Sequence, residues 1–474
     1  MKLDKINTVY FLGIGGIGMS AIARFFLLRK KQVFGYDLAP TEITTQLIAE
    51  GAHIHFEEDI DQIPTSVDIV VFTPAIPKEH AEYQHFIERQ TPLLKRSEML
   101  GIICKDYPTI AVAGTHGKTT TTAMVTQILS NVESRKQKGE GRKEKGNLTV
   151  LRSYGLTVLS FIGGIAKNFN SNFVCEPNYD TVIVEADEFD RSFLTLQPQV
   201  AIITSLDADH LDVYGDRSHL VESFQLFANQ IQPGGTLVIY DEIADQIEHP
   251  NKATYGFSEK ANYCAYRLPL TLNVPGKHNT LNAIAALAAC MEFALLRDKN
   301  ADISKLFTIF NKKLSGFTGV KRRFDIRVQR NDFMYIDDYA HHPEAIKAFL
   351  DAVKSSYPTK KLTGVFQPHL YSRTRDFAKE FASSLEVLDE IILLDIYPAR
   401  EEPIEGITSD YLLSFIKNEN KKLLKKEELV AYVQSHKPEV LLTMGAGDID
   451  KLVNDLELIS IERNPSINRV MVRY

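Results

Sequence analysis

Short apolar runs bounded by glycine and polar residues alternate with helical apolar patterns almost throughout the 474 residues. The runs are rich in β-favouring side chains and predict buried strands, while apolar positions at helical spacing between them predict covering helices. Such alternation predicts an α/β chain built on parallel sheets. The first unit places strands at 8–13, 32–36 and 68–72. "CKDYPT" before Ile110 interrupts the rhythm, and a new strand, loop and helix begin there. "TVIVEAD", "VAIITSLDADH" and "GTLVIYD" extend this second unit. Beyond "KLSGFTGVKRRFD", a stretch with two glycines and a basic cluster, "FMYIDDY", "KLTGVFQ", "EIILLDIY" and "EVLLTMGAGD" restart the alternation. Three domains are expected, at 1–107, 108–319 and 320–474.

Two segments stand apart from this pattern. Residues 131–152 hold seven basic and three acidic residues with almost nothing apolar, so they predict a flexible, solvated insertion. Residues 282–296 are the most apolar helix candidate, yet they include Glu292 and are too short for a bilayer, which predicts a buried core helix. Composition agrees with a soluble globular protein, at 44% hydrophobic and 24% charged residues. A formal charge of −7 argues against nucleic acid as a partner. Four cysteines without CxxC spacing, and an N-terminus without a signal-peptide pattern, predict a reduced, cytoplasmic protein with no membrane partner.

The chemistry concentrates in two glycine loops. Gly13-x-Gly15-x-x-Gly18 follows an apolar strand and opens an apolar helix, with Asp37 ending the next strand. Taken alone this is the fingerprint of a Rossmann-like dinucleotide site, and a nicotinamide-dependent dehydrogenase is its simplest reading. About a hundred residues on, Gly114-Thr-His-Gly-Lys-Thr-Thr120 joins another strand to another helix. Its backbone N–H groups and helix N-terminus suit phosphate, Lys118 would reach the β- and γ-phosphates, and Thr119 or Thr120 would bind magnesium. Val112 stands where the strict phosphate loop has glycine, so the match is to a shortened variant. The next strand ends in Glu185, Asp187, Glu188 and Asp190, carboxylates that repel one another unless a cation lies among them. His210, beyond the strand after that, is a candidate second magnesium ligand. Asn279 and Asn282 share a helix face and either read an adenine edge or cap the helix.

In order along the chain, these motifs together with His278, Arg322-Arg323, Asp337-Asp-Tyr-Ala-His-His-Pro343 and Gln367-Pro-His369 resemble the Mur ligases. The resemblance covers nearly the whole chain. It implies a Rossmann-like N-terminal domain for a UDP-sugar, a central P-loop-type ATPase domain and a C-terminal Rossmann-like α/β domain. It implies ATP-dependent joining of L-alanine to UDP-N-acetylmuramate through an acyl phosphate, with two magnesium ions, by a monomer or weak homodimer. A ligase attaching a recycled tripeptide to the same sugar nucleotide is the related alternative. Carried residue by residue, ATP falls to Gly114, Thr115, His116, Gly117, Lys118, Thr119, Thr120, Asn279, Asn282, Arg322, Arg323 and Asp338. The metal falls to Thr119, Thr120, Glu185 and His210. The UDP-sugar falls to Gly15, Gly16, Ile17, Gly18, Asp37, Thr73, Ser97, Gly163 and Gly164. Alanine or the acyl phosphate falls to His341, His342, Arg373 and Arg375. Ala340 stands where the family pattern has glycine.

Overall fold

A computed structural model describes residues 2–131, 156–207, 214, 216–399 and 401–462. The insertion expected at 131–152 therefore lies, from 132 on, outside the described residues, as does His210. The chain divides into two compact units, residues 1–273 with 279–318, and residues 274–278 with 319–474.

The first unit contains two sheets. In the first, β1 (Thr8–Leu12), β2 (Gln32–Tyr36), β3 (His53–His55), β4 (Ile69–Phe72) and β5 (Leu93–Lys95) lie in the order β3-β2-β1-β4-β5, all parallel. The order reverses between β1 and β4, and ligands of open α/β sheets gather at the carboxyl ends of the strands beside such a reversal. There Gly13 has φ +86°, and a Cβ on it would come within 2.6 Å of Thr73 Cγ2. Helix α1 (Ile17–Leu28) leaves this loop and buries Met19 to Phe26.

The second sheet runs β13-β12-β11-β10-β6-β9-β7-β8. Its strands are β6 (Thr109–Ala113), β7 (Val158–Ala166), β8 (Ser171–Cys175), β9 (Thr181–Glu185), β10 (Val200–Ile203), β11 (Thr236–Tyr240), β12 (Lys252–Gly256) and β13 (Tyr263–Cys264). The pairing is parallel except for the hairpin β7–β8, which the alternation rule did not anticipate. Gly163 and Gly164 interrupt the apolar periodicity of β7, and the β7–β8 register is irregular between Phe161 and Ala166. With β6 between β9 and β10, the second glycine loop lies between the acidic strand end and Thr204-Ser205. One apolar core runs from Ile6 through Phe25 and Phe161 to Ile247, so both sheets share it.

Helix α4 (Lys277–Arg297) corrects one expectation. At 21 residues it is long and apolar enough to cross a membrane by length and composition, because it begins five residues before the predicted segment. Its most apolar window is 72% buried inside the protein, the setting of a core helix.

The second unit has one sheet in the order β14-β15-β19-β16-β17-β18. Its strands are β14 (Asp325–Gln329), β15 (Met334–Asp338), β16 (Leu362–Phe366), β17 (Glu390–Leu393), β18 (Lys421–Leu423) and β19 (Val440–Met444). Here too one edge pair, β14–β15, is antiparallel. Apolar clusters cover both faces, which is why its central strands read as unbroken apolar runs.

The flanks of the basic insertion are held together. Asn131 Nδ2 donates to the Leu156 carbonyl at 3.0 Å, and buried Glu176 accepts the N–H groups of Asn131 and of Val158, the latter at 2.8 Å. Deleting residues 135–145 should therefore move the thermal midpoint by less than ~2 °C, since loop length costs little once the ends are fixed. Glu176→Ala strands buried N–H groups and should cost ~2–4 kcal/mol in urea denaturation. The opposite ranking would show that the insertion itself stabilises the fold.

Candidate active site

At the first loop, Gly15 N–H donates to Asp37 Oδ2 at 2.6 Å, so Asp37 braces the loop backbone. Gly16 precedes α1, and Ile17 and Gly18 begin it. A cavity of about 180 Å³ opens from Ile17 and Gly18 past Arg96, Leu100 and Phe161 to Gly163, Glu185 and Asp187. It joins the residues expected to hold the sugar nucleotide to the acidic end of β9. Ser97 is buried in helix α2 (Arg96–Cys104), where its carbonyl accepts the Thr195 hydroxyl at 3.0 Å. Gly164 stays in β7, one residue beyond the cavity lining.

The second loop is built by close approach. Gly114 and Gly117 have φ +128° and +80°, and Cβ atoms there would strike Thr204 and Asn282. Asn279 and Asn282 are both buried, and Asn282 Oδ1 lies 2.5 Å from the place of a Gly117 Cβ. Ser205 completes the loop: its hydroxyl pairs with that of Thr115 at 2.8 Å and accepts His116 N–H at 2.8 Å. No pattern in the sequence singled out Ser205, since one serine after a strand carries no signal.

Lys118 opens helix α3 (Lys118–Leu129) and folds back over the loop. Its Nζ donates to the Gly114 carbonyl and to Glu188 Oε1, both at 2.7 Å. Burial alone would lower the Lys118 pKa, but the carboxylates of Glu188, Asp187 and Glu185 outweigh it and raise it. The lysine is therefore a cation, held ready beside the loop. Glu188 was one of four acids in the sequence pattern; only the structure distinguishes it as the lysine's partner.

Glu185 does different work. Its Oε1 accepts the Thr119 hydroxyl at 3.0 Å and its Oε2 accepts Gly163 N–H at 2.9 Å. Of the two candidate threonines it is Thr119 whose hydroxyl meets Glu185, while Thr120 is buried alongside. Among the described residues no group of three or more His, Cys, Asp or Glu could hold a metal unaided. A hydroxyl and a carboxylate side by side nevertheless suit magnesium, which takes one or two protein oxygens and completes its shell with water and phosphate. Those two residues fit the ion.

In the second unit Asp338 is buried, and its two oxygens accept N–H from Phe324 at 2.6 Å and Ala340 at 2.8 Å. Burial pushes its pKa up to about 6. Arg322 is committed to buried Asp337 and to the Gly445 carbonyl, whereas exposed Arg323 lies over the Tyr339 ring at 4.9 Å. His341 Nδ1 lies 2.9 Å from the Tyr339 carbonyl, so it carries the proton and Nε2 presents a lone pair. Burial, then the Arg373 guanidinium, holds the His341 pKa down to about 3. His369, 6.0 Å from His341 by ring centres, stacks on Tyr397. His342 instead packs on Phe377, and Arg375 turns to Asp376 at 2.7 Å, so neither shares the His341 contact. A histidine kept neutral in the native state loses ground to the unfolded chain as pH falls below about 6.5. Wild type should thus lose urea stability more steeply than His341→Asn between about pH 7 and pH 5. Parallel slopes would show that His341 titrates normally.

Comparison with known proteins covers the same ground. Residues 8–108 match the Mur ligase family catalytic domain, 112–290 the Mur ligase middle domain, and 322–447 the Mur ligase glutamate ligase domain. The UDP-N-acetylmuramate–L-alanine ligase of Flavobacterium psychrophilum is 44% identical, over 96% of this chain and 99% of its own. The enzyme of that name from Cytophaga hutchinsonii is 38% identical, over 99% and 100%. The crystal structure of UDP-N-acetylmuramate–alanine ligase from Thermotoga maritima superposes with a TM-score of 0.76 at 27% identity, covering 97% of this chain and 99% of that one. A murein peptide ligase from Psychrobacter arcticus shares the fold, with a TM-score of 0.64 at 20% identity. With two glycine loops, the acids of β9 and the third sheet all falling inside matched segments, the chain belongs to the Mur ligase family.

Proposed function

We propose that this chain joins the amine of L-alanine to the lactoyl carboxylate of UDP-N-acetylmuramate, at the expense of ATP. The observation that carries this is the cavity leading from the first glycine loop to Glu185, whose other oxygen meets the phosphate loop. A substrate held by the first loop extends toward the place where a second nucleotide is activated. Relatives carrying that enzyme's name match over nearly their whole length, which favours alanine over a tripeptide as the added group.

A carboxylate is a poor acyl donor because oxide is a poor leaving group. One carboxylate oxygen attacks the γ-phosphorus of ATP, ADP departs, and an acyl phosphate results. The alanine amine then adds to its carbonyl, and phosphate leaves the tetrahedral adduct as the amide forms. Phosphoryl transfer needs positioning and charge more than covalent help. Lys118, already cationic, follows the transferring phosphoryl once ATP displaces Gly114 and Glu188 from its Nζ. Thr119 and Glu185 would hold magnesium, which when bound neutralises phosphate charge. Arg323 is the exposed linker arginine suited to a phosphate, and Asn282, packed against Gly117, sets the loop's shape with buried Asn279 three residues before it. His341 Nε2 and Arg373 fit the two ends of an amino acid, a lone pair for the amine and a cation for the carboxylate. The assigned division is 1–107 for the sugar nucleotide, 108–319 for ATP and 320–474 for the amino acid, in a cytoplasmic enzyme.

Purified protein should release phosphate from ATP only with UDP-N-acetylmuramate and alanine both present; release with tripeptide but not alanine would sink the assignment. Lys118→Ala should cut turnover by ~10³-fold or more, since it removes a preorganised cation from the charged transition state. Its affinity for UDP-N-acetylmuramate, measured calorimetrically, should fall by no more than about threefold, because the lysine is not in the cavity lining and acts on it only through the charges of Glu185 and Asp187. A collapse of that affinity would show that the two loops do not divide the labour.

A further inference from the structure

We propose that Arg96 receives an anionic group of the sugar nucleotide, and that its ion pair with Asp187 is exchanged for that group on binding. The proposal rests on the substrate reading above and concerns how the first site is wired to the second.

Arg96 is the first residue of α2 and lies over the start of α1. A Cβ on Gly18 would come within 2.9 Å of Arg96 Cδ and 3.1 Å of Nη1, so only glycine lets the guanidinium stem lie there. The guanidinium thus lines the cavity together with the N-terminal turn of α1, Gly163 and Glu185. Within the cavity lining Arg96 is the cation, and the sequence pattern did not mark it.

Its partner is held in a way that allows exchange. Asp187 Oδ1 accepts Phe189 N–H at 3.2 Å, which anchors the carboxylate, while Oδ2 lies 3.1 Å from Arg96 Nη2. The side chains are 22% and 39% exposed, so water screens the pair and little is lost on breaking it. A diphosphate or a carboxylate entering the cavity offers the planar fork a bidentate partner, and a diphosphate brings more charge than Asp187 does. The contest favours the ligand.

Exchange has a consequence at the second loop. Asp187 acts on Lys118 together with Glu188 and Glu185. Once Arg96 turns to the ligand, the Asp187 charge is no longer offset on the cavity side and bears more fully on the acid cluster beside Lys118. Occupancy of the first loop is thereby felt at the second without any movement of the backbone.

The two halves of the pair give opposite signs in one assay. The full chain, without ATP, is titrated calorimetrically with UDP-N-acetylmuramate. Arg96→Ala should weaken binding about tenfold or more, and Arg96→Lys, which keeps the charge without the fork, should fall between it and wild type. Asp187→Asn removes the competing anion and should tighten binding about threefold. A mere structural clip predicts weakening by both Arg96→Ala and Asp187→Asn, and that result, or an unchanged Arg96→Ala, overturns the proposal. Titration with UDP separates the sources of the anion. The same loss in Arg96→Ala identifies the diphosphate, whereas a loss seen only with the full substrate identifies the lactoyl carboxylate. If wild type binds neither ligand, the substrate reading itself fails and the exchange falls with it; if wild type binds and the signs agree, only the exchange falls.

Discussion

The Glu185 carboxylate is the joint on which the first unit's site depends. One oxygen takes the Thr119 hydroxyl at the start of α3 and the other takes a backbone N–H from β7. Three segments far apart in the chain therefore meet on one side chain. The geometry tolerates no substitute at Gly163, where a Cβ would fall on the carboxylate itself. Half-buried charge of this kind is stable because each oxygen has a donor, and it stays useful because a hydroxyl can be replaced by a cation.

Around that joint the acids at and just beyond the end of β9 divide their tasks. Glu185 faces the hydroxyl, Glu188 is fully buried and holds the lysine, and Asp187 holds an arginine from the first sheet's side of the cavity. Four like charges in six residues would repel one another in isolation. Distributing three of them among a hydroxyl, a lysine and an arginine relieves the repulsion and keeps the partners poised. The same cluster explains why Lys118 stays charged in spite of its burial.

All three sheets obey one rule of topology. Loops at the carboxyl ends of parallel strands carry the polar residues: Gly13 and Thr73 on the first sheet, the phosphate loop and Glu185 on the second, and Asp338, His341 and Gln367 on the third. Strands buried on both faces leave side chains no polar outlet along their length, so chemistry is displaced to their ends. The antiparallel pairs β7–β8 and β14–β15 stand at or near the sheet margins, where a hairpin can pair without a crossover helix.

Much of this protein is legible from residue order alone. Apolar runs ending in glycine mark the strands that matter, because burial demands the runs and phosphate demands the glycines. Lys118, Glu185 and Asn282 stand out for the same reason: a rare residue type at a forced place. The short strands β3, β5, β13 and β18 escape notice, since two or three residues carry no periodicity. The length of α4 is misjudged because its first four residues, Lys277 to Thr280, are polar and the apolar pattern that marks a helix begins only after them. Tertiary structure alone decides partners. Which of four acids holds Lys118, that Ser205 closes the phosphate loop, that Arg96 enters the cavity, and that Arg375 turns away from His341 all depend on distances across the fold. Local sequence sets what a residue can do, whereas folding brings it to the group with which it does it: Asp187 reaches Arg96 from 91 residues away, and the Gly445 carbonyl reaches Arg322 from 123.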